Sequence, residues 1–567
     1  MRPRTNRLIA VIANFVLVFA TTLASQQAPA PRPPVSPSGP DPILYTETRT
    51  TPSTFRDRGG SYAPTYFIYV DRQRTADGAK KLIDDFGLLG NLEEYKARAV
   101  VVGPVNGAAY DPVADLAAFQ NLLRTRRSAN LKIIGVGAGA TFVNNVISKY
   151  AFAVAGILTY GGSLDKNVTA STPVPAYVHA SDPAVGKLYI DANRATKKVD
   201  DSPAAITYAN PGARDGLQRV VVSKLPDAKE NLAQAFTNAW KTVFSRNYRL
   251  YMSRTESYSQ GFDPNNYTEP WELEPYVMFD ELGMRYDAVT EELPNLGLSL
   301  RYEYVPTKAL NAAPKSVPLV VMLHGNGNDP RIQGESSGWV EVGAKNTLIL
   351  TSIEWQGRTS GDTPFAAIGE AGTMTIVDRL LVKYPQIDPS RVYFTGLSAG
   401  AMNSFTYGVN NIARIAGVAG HSAPFGPPPL LDAAAKLKGL GTYLPMYAIA
   451  GNKDMYKPLP VNDTPRSFYN VIRAFAMIDD IAVPDAPDLA VNEMFGLKLD
   501  GPGWSELAGR RALIGTLSNG QGTMIKVVAL DPYGHWNYKP AAEDMWAFLS
   551  RFRRNLTTGA LQVVPAR

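Results

Sequence analysis

Short continuous runs of apolar residues alternate with amphipathic stretches along most of the chain. Ala99–Gly103, Leu131–Ile134 and Pro318–Leu323 have the length and composition of strands that are buried on both faces of a parallel sheet. Pro112–Arg124 has apolar residues at helical spacing. Because the two patterns alternate, the sequence predicts an α/β fold with mostly parallel sheets flanked by helices.

A glycine-rich turn, Gly396-Leu-Ser-Ala-Gly400, follows the predicted strand Arg391–Thr395 and precedes a predicted helix. Gly-x-Ser-x-Gly between a strand and a helix is the nucleophile elbow of α/β-hydrolases. Small residues are needed there because the serine backbone is strained and the helix passes close to the strand. Ser398 is therefore the predicted nucleophile, and the backbone N–H of Ala399 is the first predicted donor to an oxyanion.

A second glycine turn, His324-Gly-Asn-Gly327, follows the apolar strand that ends at Leu323. In α/β-hydrolases a turn of this kind supplies backbone N–H groups to the oxyanion hole. The N–H of Asn326 is the predicted second donor. His324 itself is expected to brace this loop, and a plain turn at the end of the strand is the competing interpretation.

The fold predicts that the triad acid and then the histidine follow the serine in chain order. Asp454 follows a predicted strand over 444–450 and is the predicted acid, with Asp463 on the same loop as its rival. His535 follows the predicted strand Val527–Leu530, and no other histidine lies beyond Asp454. His535 is therefore the predicted general base.

Three further residues near these turns are candidates for contact with substrate: Trp355, Trp536 and His421. A buried structural role is an equally open interpretation for the two tryptophans. No group of His, Asp or Glu has the spacing of metal ligands, so we predict no metal and no cofactor.

The order of elements around Ser398 also occurs in the first half of the chain. Leu131–Ile134 leads into Gly135-Val-Gly-Ala-Gly-Ala140 and a predicted helix. We predict two tandem α/β-hydrolase-like domains, of which the first is catalytically degenerate. Gly137 stands at the place of the nucleophile, and Ala228 or Lys229 stands at the place of the histidine. Glycine has no oxygen with which to attack.

The same glycines also fit the dinucleotide-binding pattern Gly-x-Gly-x-x-Ala after a strand. That pattern requires an acidic residue about twenty positions further on, at the end of the next strand. No acidic residue lies there, since Asp165 comes too late. Cofactor binding is thus the weaker interpretation of this turn.

The N-terminus has the pattern of a secretory signal peptide over residues 1–24, with arginines before the apolar run Leu8–Ala20 and small residues after it. An uncleaved membrane anchor is the alternative. We expect a secreted or periplasmic protein with no later membrane span. The predicted organisation is a Pro-rich linker over 25–60, a degenerate domain over 61–258, a connector over 259–285 and a catalytic domain over 286–567.

Composition narrows the function further. The 567 residues include no cysteine, which excludes disulfides and a cysteine nucleophile. A formal charge of +6 without any dense Lys/Arg block gives no indication of nucleic-acid binding. Hydrophobic residues make up 45% and charged residues 19%, as in folded proteins.

Three motifs together resemble the secreted esterases of the poly(3-hydroxybutyrate) depolymerase and feruloyl/acetylxylan esterase group. They are Val320-Val-Met-Leu-His-Gly325, Tyr384-Pro-Gln-Ile-Asp-Pro-Ser-Arg-Val-Tyr-Phe-Thr-Gly-Leu-Ser-Ala-Gly400 and Gly534-His-Trp536. The resemblance covers about 300–553. It implies a Ser-Asp-His carboxylic ester hydrolase that uses no cofactor and acts on polyester or plant-wall acyl esters.

The functional hypothesis is therefore an exported serine esterase whose partner is an ester substrate, polymeric or small. A peptidase of the same fold is one alternative. A polymer-binding protein with residual hydrolase activity is the other. The oligomeric state is left open.

Overall fold

Two large, mostly parallel sheets flanked by helices form two tandem α/β domains, as predicted. A computed structural model describes residues 42–49, 64–71, 75–95, 97–107, 109–126, 130–213, 217–251, 271–360, 363–423, 428–454, 459–464 and 467–564. The predicted signal peptide and most of the predicted linker lie outside these ranges.

The first sheet contains nine strands. They are β1 (Ile43–Thr48), β2 (Thr65–Tyr69), β3 (Arg98–Val102), β4 (Leu131–Val136), β5 (Gly156–Tyr160), β6 (Ala176–His179), β7 (Lys197–Asp201), β8 (Ala205–Ala209) and β9 (Arg219–Ser223). Their order across the sheet is β1-β3-β2-β4-β5-β6-β9-β8-β7. The helices are Ala76–Asp85, Leu88–Glu94, Ala114–Arg126, Ala138–Asn145, Pro183–Asn193 and Leu232–Thr242, with 3₁₀ turns at Ile147–Ala153 and Phe244–Arg246.

The second sheet contains ten strands. They are β12 (Met284–Leu293), β13 (Gly297–Pro306), β14 (Val317–Leu323), β15 (Ile349–Ile353), β18 (Ile387–Leu397), β19 (Gly417–His421), β20 (Met446–Gly451), β21 (Asp500–Leu507), β22 (Arg510–Asn519) and β23 (Gly522–Leu530). Their order is β12-β13-β15-β14-β18-β19-β20-β23-β22-β21. The helices are Thr307–Leu310, Pro330–Ser336, Trp339–Asn346, Gly369–Lys383, Ala399–Asn410, Pro428–Leu437, Phe468–Ile478 and Ala541–Leu549.

Three two-stranded ribbons complete the described structure. They pair β10 (Asn247–Tyr251) with β11 (Trp271–Pro275), β16 (Arg358–Ser360) with β17 (Thr363–Phe365), and β24 (Phe552–Arg554) with β25 (Leu561–Val563).

The two sheets share one topology. If the extra edge strand β12 is set aside, the order from β13 to β21 repeats the order from β1 to β7 strand for strand. The directions also agree, because β1 and β13 are antiparallel to their neighbours, and so are the hairpin strands at the opposite edge. Six mutually parallel strands lie between them in each sheet.

The folded chain begins earlier than the composition predicts. β1 lies inside the segment predicted as linker, and it pairs antiparallel with β3 from Ile43 to Thr48. The Pro-rich composition ends near Pro42, and the residues that follow form this edge strand. The predicted connector likewise contains β11, which pairs with β10 at the end of the first domain.

Each face of the first sheet has its own core. Phe67 and Tyr69 contribute to the core on one face, while Tyr66 and Ile68 contribute to the core on the other, and all four are at most 1% exposed. Side chains alternate across a strand, so a run that is apolar throughout can be buried only between two layers. The second sheet packs with its helices into one larger apolar cluster.

The turn after β18 brings the following helix against β14. Ser398 has φ 55° and ψ −120°, a conformation that residues other than glycine rarely adopt. A Cβ on Gly396 would lie 2.5 Å from the carbonyl carbon of Gly400. A Cβ on Gly400 would lie 2.5 Å from the carbonyl oxygen of His324, and closer still to that of Leu323. Glycine at both positions is therefore a packing requirement.

This packing predicts the effect of Gly400→Ala. We expect a loss of about 2–5 kcal/mol in the free energy of unfolding, because the added methyl group overlaps backbone that cannot move aside cheaply. Thermal unfolding would measure the loss. Gly520→Ala is the matched control, since a Cβ there meets nothing within 4 Å. Equal stability of the two variants would contradict this interpretation.

Candidate active site

Asp454 and His535 form a hydrogen-bonded pair at the carboxyl edge of the second sheet. Nδ1 of His535 lies 2.8 Å from Oδ2 and 2.9 Å from Oδ1 of Asp454. The Asp454 carboxylate is fully buried, and the imidazole is 10% exposed. A carboxylate at Nδ1 favours the tautomer with the proton on that nitrogen and the lone pair on Nε2. Asp463, the rival candidate for the acid, is exposed on the same loop.

The loops that carry this pair are tied to each other and to the fold. Lys453 N–H donates to the carbonyl of Tyr533 at 2.8 Å, and Asn452 Nδ2 donates to Asp531 Oδ1 at 2.7 Å. Beyond the histidine, Asn537 Nδ2 donates to side-chain oxygens of the helix Pro330–Ser336 at 3.1 and 3.2 Å. Asp454 and His535 are thus held by short loops with fixed partners.

Ser398 lies two strands away from Asp454 along the same edge, at the end of β18. Its N–H donates to the carbonyl of His421 at 2.9 Å, and the residue is 8% exposed. The loop after β14 comes close to it, because a Cβ built on Gly325 would lie 3.4 Å from the Cβ of Ser398. This proximity brings the turn over 324–327 to the serine.

The two predicted oxyanion donors are the backbone N–H groups of Ala399 and Asn326. Among the described residues, no acceptor is found for the N–H of Ala399 or of Asn326. Ala399 is the first residue of its helix, where free N–H groups and the helix dipole favour negative charge. Two such donors beside a serine can stabilise an oxyanion.

The three candidates for substrate contact occupy different surroundings. Trp355 donates its indole N–H to the carbonyl of His324 at 2.8 Å and so braces the loop after β14. Trp536 is half-buried beside the base. His421 is buried, and burial lowers the pKa of its imidazole to about 3.

The sequence reasoning missed a set of polar residues directly after β15. Glu354, Gln356 and Arg358 contact the loop that carries Asn326, and their role is taken up below. Only the pairing of β15 with β14 brings them there. No group of three or more His, Cys, Asp or Glu side chains in the described ranges could hold a metal ion.

The matching turn of the first domain has the same backbone without the serine. Gly137 has φ 53° and ψ −114°, within a few degrees of Ser398. A Cβ at Gly137 would lie 2.9 Å from the Cβ of Asp71. By strand register Asp71 corresponds to Gly325, because β2 pairs with β4 as β14 pairs with β18. The first domain therefore has glycine where the second has Ser398, and it has a larger residue, Asp71, where the second has Gly325.

The residue of the first domain that corresponds to His535 is not the one that the sequence predicts. Val222 corresponds to Val527, because β6 pairs with β9 as β20 pairs with β23. Glu230 follows Val222 by eight residues, just as His535 follows Val527 by eight. By this register Glu230, rather than Ala228 or Lys229, corresponds to His535. Counting from a shared strand register would have given this position.

Glu230 belongs to a buried network around His179. The two ring nitrogens of His179 contact Glu230 Oε2 at 2.7 Å and Asp227 Oδ1 at 2.8 Å. Tyr177 and Asn238 donate to the other oxygen of Glu230, each at 2.6 Å. Both nitrogens of this imidazole thus contact carboxylates.

Comparison with protein-family models finds no match, and comparison with curated proteins finds none either. Among solved structures, the chain is similar to an S-formylglutathione hydrolase from Agrobacterium tumefaciens (12% identity, TM-score 0.32, covering 47% of this chain and 95% of that one). It is also similar to an acetyl xylan esterase from Aspergillus awamori (16%, TM-score 0.32, 47% and 99%). An esterase from Pyrococcus furiosus matches at 15% identity with a TM-score of 0.26, covering 38% and 90%. These likenesses concern the fold.

No helix among the residues with described structure combines the length and the apolar character that crossing a membrane requires.

The His179 network predicts how the stability of the first domain depends on pH. The hydrogen bond to Glu230 raises the pKa of His179 against the opposing effect of burial. Burial alone would raise the pKa of Glu230, but hydrogen bonds from His179, Ser223, Tyr177 and Asn238 outweigh it and lower that pKa to about 2. The contribution of Glu230 is therefore lost as pH falls from about 4.5, and that of His179 is lost as pH rises above about 6.5.

We expect the network to stabilise the domain most between these two values. The measurement is the thermal midpoint as a function of pH for wild type and His179→Gln. Lys229→Gln, an exposed change on the same loop, is the control. A difference between wild type and His179→Gln that stays constant from about pH 5 to about pH 9 would contradict the assignment.

The exchanged pair at Asp71 and Gly137 predicts a coupled effect. Gly137→Ser places an L-residue at φ 53° and presses its Cβ against Asp71. We expect it to lower the stability of the first domain by about 1–3 kcal/mol. Adding Asp71→Gly should return part of that loss, so the two changes should not be additive. A double-mutant cycle of thermal unfolding measures the coupling, and strict additivity would refute it.

Proposed function

We propose that the second domain hydrolyses carboxylic esters through a nucleophilic serine. The observation that carries the proposal is the strained backbone of Ser398, at φ 55° and ψ −120°, in a turn that needs glycine at 396 and 400. Such strain costs about 1–3 kcal/mol and persists where the surrounding structure enforces it, most often at active sites.

In this mechanism Ser398 Oγ attacks the ester carbonyl while Nε2 of His535 takes its proton. Asp454 holds the imidazole and stabilises the imidazolium that forms. The N–H groups of Ala399 and Asn326 stabilise the oxyanion of the tetrahedral intermediate. His535 then protonates the departing alcohol, and water hydrolyses the acyl-enzyme by the same sequence of proton transfers.

The first domain is proposed to be a degenerate copy that does not carry out this reaction. Its support is the shared strand order together with glycine at position 137 and a carboxylate, Glu230, where the second domain has His535. The protein is further proposed to be exported, on the pattern of residues 1–24, with an N-terminal anchor as the alternative.

The substrate class follows from the resemblance of the motifs at 320–325, 384–400 and 534–536. Polyester and plant-wall acyl esters are the proposed substrates. A peptidase of the same fold would use the same residues, and a binding role of the first domain would leave hydrolysis weak. p-Nitrophenyl acyl esters, peptide anilides and insoluble polyester, each tested with the full chain, would separate these activities.

We expect Ser398→Ala and His535→Asn each to lower kcat for p-nitrophenyl esters by about 10³–10⁶-fold. Asp454→Asn should lower it by about 10²–10⁴-fold, because the imidazole then loses its fixed tautomer. Asp463→Asn is the matched control on the same loop and should leave kcat within about twofold.

Labelling by a fluorophosphonate probe gives a second readout of the nucleophile. The probe should modify Ser398 in the wild type and no longer label Ser398→Ala. Equal labelling of the two proteins, or full activity of Ser398→Ala, would remove the proposed function.

A further inference from the structure

The segment that follows β15 holds the loop of the proposed oxyanion donor. Gln356 contacts that loop twice, accepting from Gly327 N–H at 2.7 Å and donating to the side chain of Asn326. Arg358 contacts Asp329, the N-cap of the next helix. The shape of the loop is therefore set by several contacts that do not involve its histidine.

A buried ionic pair lies on the same loop in addition to these contacts. Nε2 of His324 lies 3.1 Å from Oε1 of Glu354, and both side chains are 1% exposed. The same carboxylate oxygen accepts the N–H groups of Gln356 and Gly357 at 3.1 and 3.0 Å. Burial raises the pKa of Glu354, but the charge and hydrogen bond of His324, with Arg358 and the Gln356 N–H, outweigh it and lower that pKa. An oxygen that accepts two backbone N–H groups in this way favours the ionised form of the carboxyl group.

The second nitrogen of His324 points to a carbonyl. Nδ1 lies 2.8 Å from the oxygen of Gly325. A carbonyl can only accept, so Nδ1 of His324 donates to it, and Nε2 faces the carboxyl group of Glu354; an imidazole that donates from both nitrogens carries a positive charge. The Gly325 oxygen also accepts the N–H of Asn328 at 2.9 Å.

The carbonyl of Gly325 and the N–H of Asn326 belong to one peptide group. Hydrogen bonds that a carbonyl accepts polarise its peptide group and strengthen its N–H as a donor, and a charged donor does so more strongly than a neutral one. The N–H of Asn326 has no acceptor among the described residues. It can therefore donate to a bound group, and the polarisation would strengthen that hydrogen bond.

We propose that Glu354 and His324 are positioning residues that polarise the Gly325–Asn326 peptide and thereby strengthen its N–H toward the oxyanion. The inference rests on the proposed function, since it assigns a role to a donor of that site. Glu354 keeps the imidazole charged and oriented, and His324 transmits the effect to the Gly325 carbonyl.

The first domain supports a functional rather than an architectural role. By register Val70 corresponds to His324 and Gly103 to Glu354, because β2 pairs with β3 as β14 pairs with β15. The same sheet edge therefore forms without the ionic pair in the domain that lacks the serine. Burying two charges is costly, and a pair that only held the loop could be replaced by apolar residues.

The test compares Glu354→Gln, His324→Asn and His324→Phe in the full chain. The side-chain amide in His324→Asn can still donate to the Gly325 carbonyl, but it carries no charge. We expect kcat for p-nitrophenyl esters to fall about 10–100-fold in Glu354→Gln and further in His324→Phe, with His324→Asn less affected than His324→Phe. KM should stay within about threefold, because the donor acts mainly in the transition state.

The carbonyl stretching frequency of the acyl-enzyme separates polarisation from support of the loop. Strong oxyanion donors lower this frequency, so it should rise in Glu354→Gln and rise most in His324→Phe. Gln356→Ala is the matched control, since it removes loop contacts without touching the Gly325 carbonyl. Its change in frequency measures the loss of loop support alone, and it should be smaller than the changes in Glu354→Gln and His324→Phe.

An unchanged frequency in both Glu354→Gln and His324→Asn would overturn the inference, whatever the change in kcat. So would a kcat of Glu354→Gln within about twofold of wild type. If Glu354→Gln fails to fold, His324→Asn decides alone by the same two measurements. Full activity of Ser398→Ala would instead end the proposed function, which keeps the two failures distinguishable.

Discussion

The second domain is built around a serine backbone that occupies a conformation other residues avoid. Ser398 can stand there because β18 arrives through Gly396 and the helix leaves through Gly400, each in contact with backbone atoms. Its N–H is held by the carbonyl of His421, and its carbonyl accepts the N–H of Met402 at 3.0 Å. The strain is thus maintained by the sheet and by the helix together, and any loosening of either would release it.

The four histidines of the chain show how one side chain serves different ends. His535 has the Asp454 carboxylate at Nδ1, and its proposed role is proton transfer. His179 and His324 have an oxygen atom within hydrogen-bond distance of each ring nitrogen, so both rings are held in one orientation. His421 is buried, and its lowered pKa keeps it neutral. What decides the role is the set of partners around the two nitrogens, a feature that only the folded structure supplies.

Sequence patterns predicted the parts of the site that depend on local geometry. The elbow around Ser398 and the turn after Leu323 need glycine at fixed spacing, and the acid and base follow strands in a known order. The pair Glu354 and His324 could not be predicted in this way. It depends on two strands, β14 and β15, that lie side by side in the sheet although two helices separate them along the chain.

The C-terminus shows the same limit. The last helix ends at Leu549, and a small ribbon, β24 with β25, follows it. Arg554 on that ribbon buries its guanidinium and donates to the carbonyls of Ile415 and Tyr443 at 2.6 and 2.7 Å. These carbonyls belong to distant parts of the chain, and local propensity carries no information about them.

The sizes of the residues at positions 71 and 137, and at the corresponding positions 325 and 398, constrain which substitutions each domain can accept. Asp71 and Gly137 fit each other, and so do Gly325 and Ser398, but a serine cannot be placed against Asp71 without a clash. The effects of the two positions on stability are therefore coupled. A change at only one of them leaves either a steric clash or a cavity. Serine at position 137 therefore fits only together with a smaller residue at position 71.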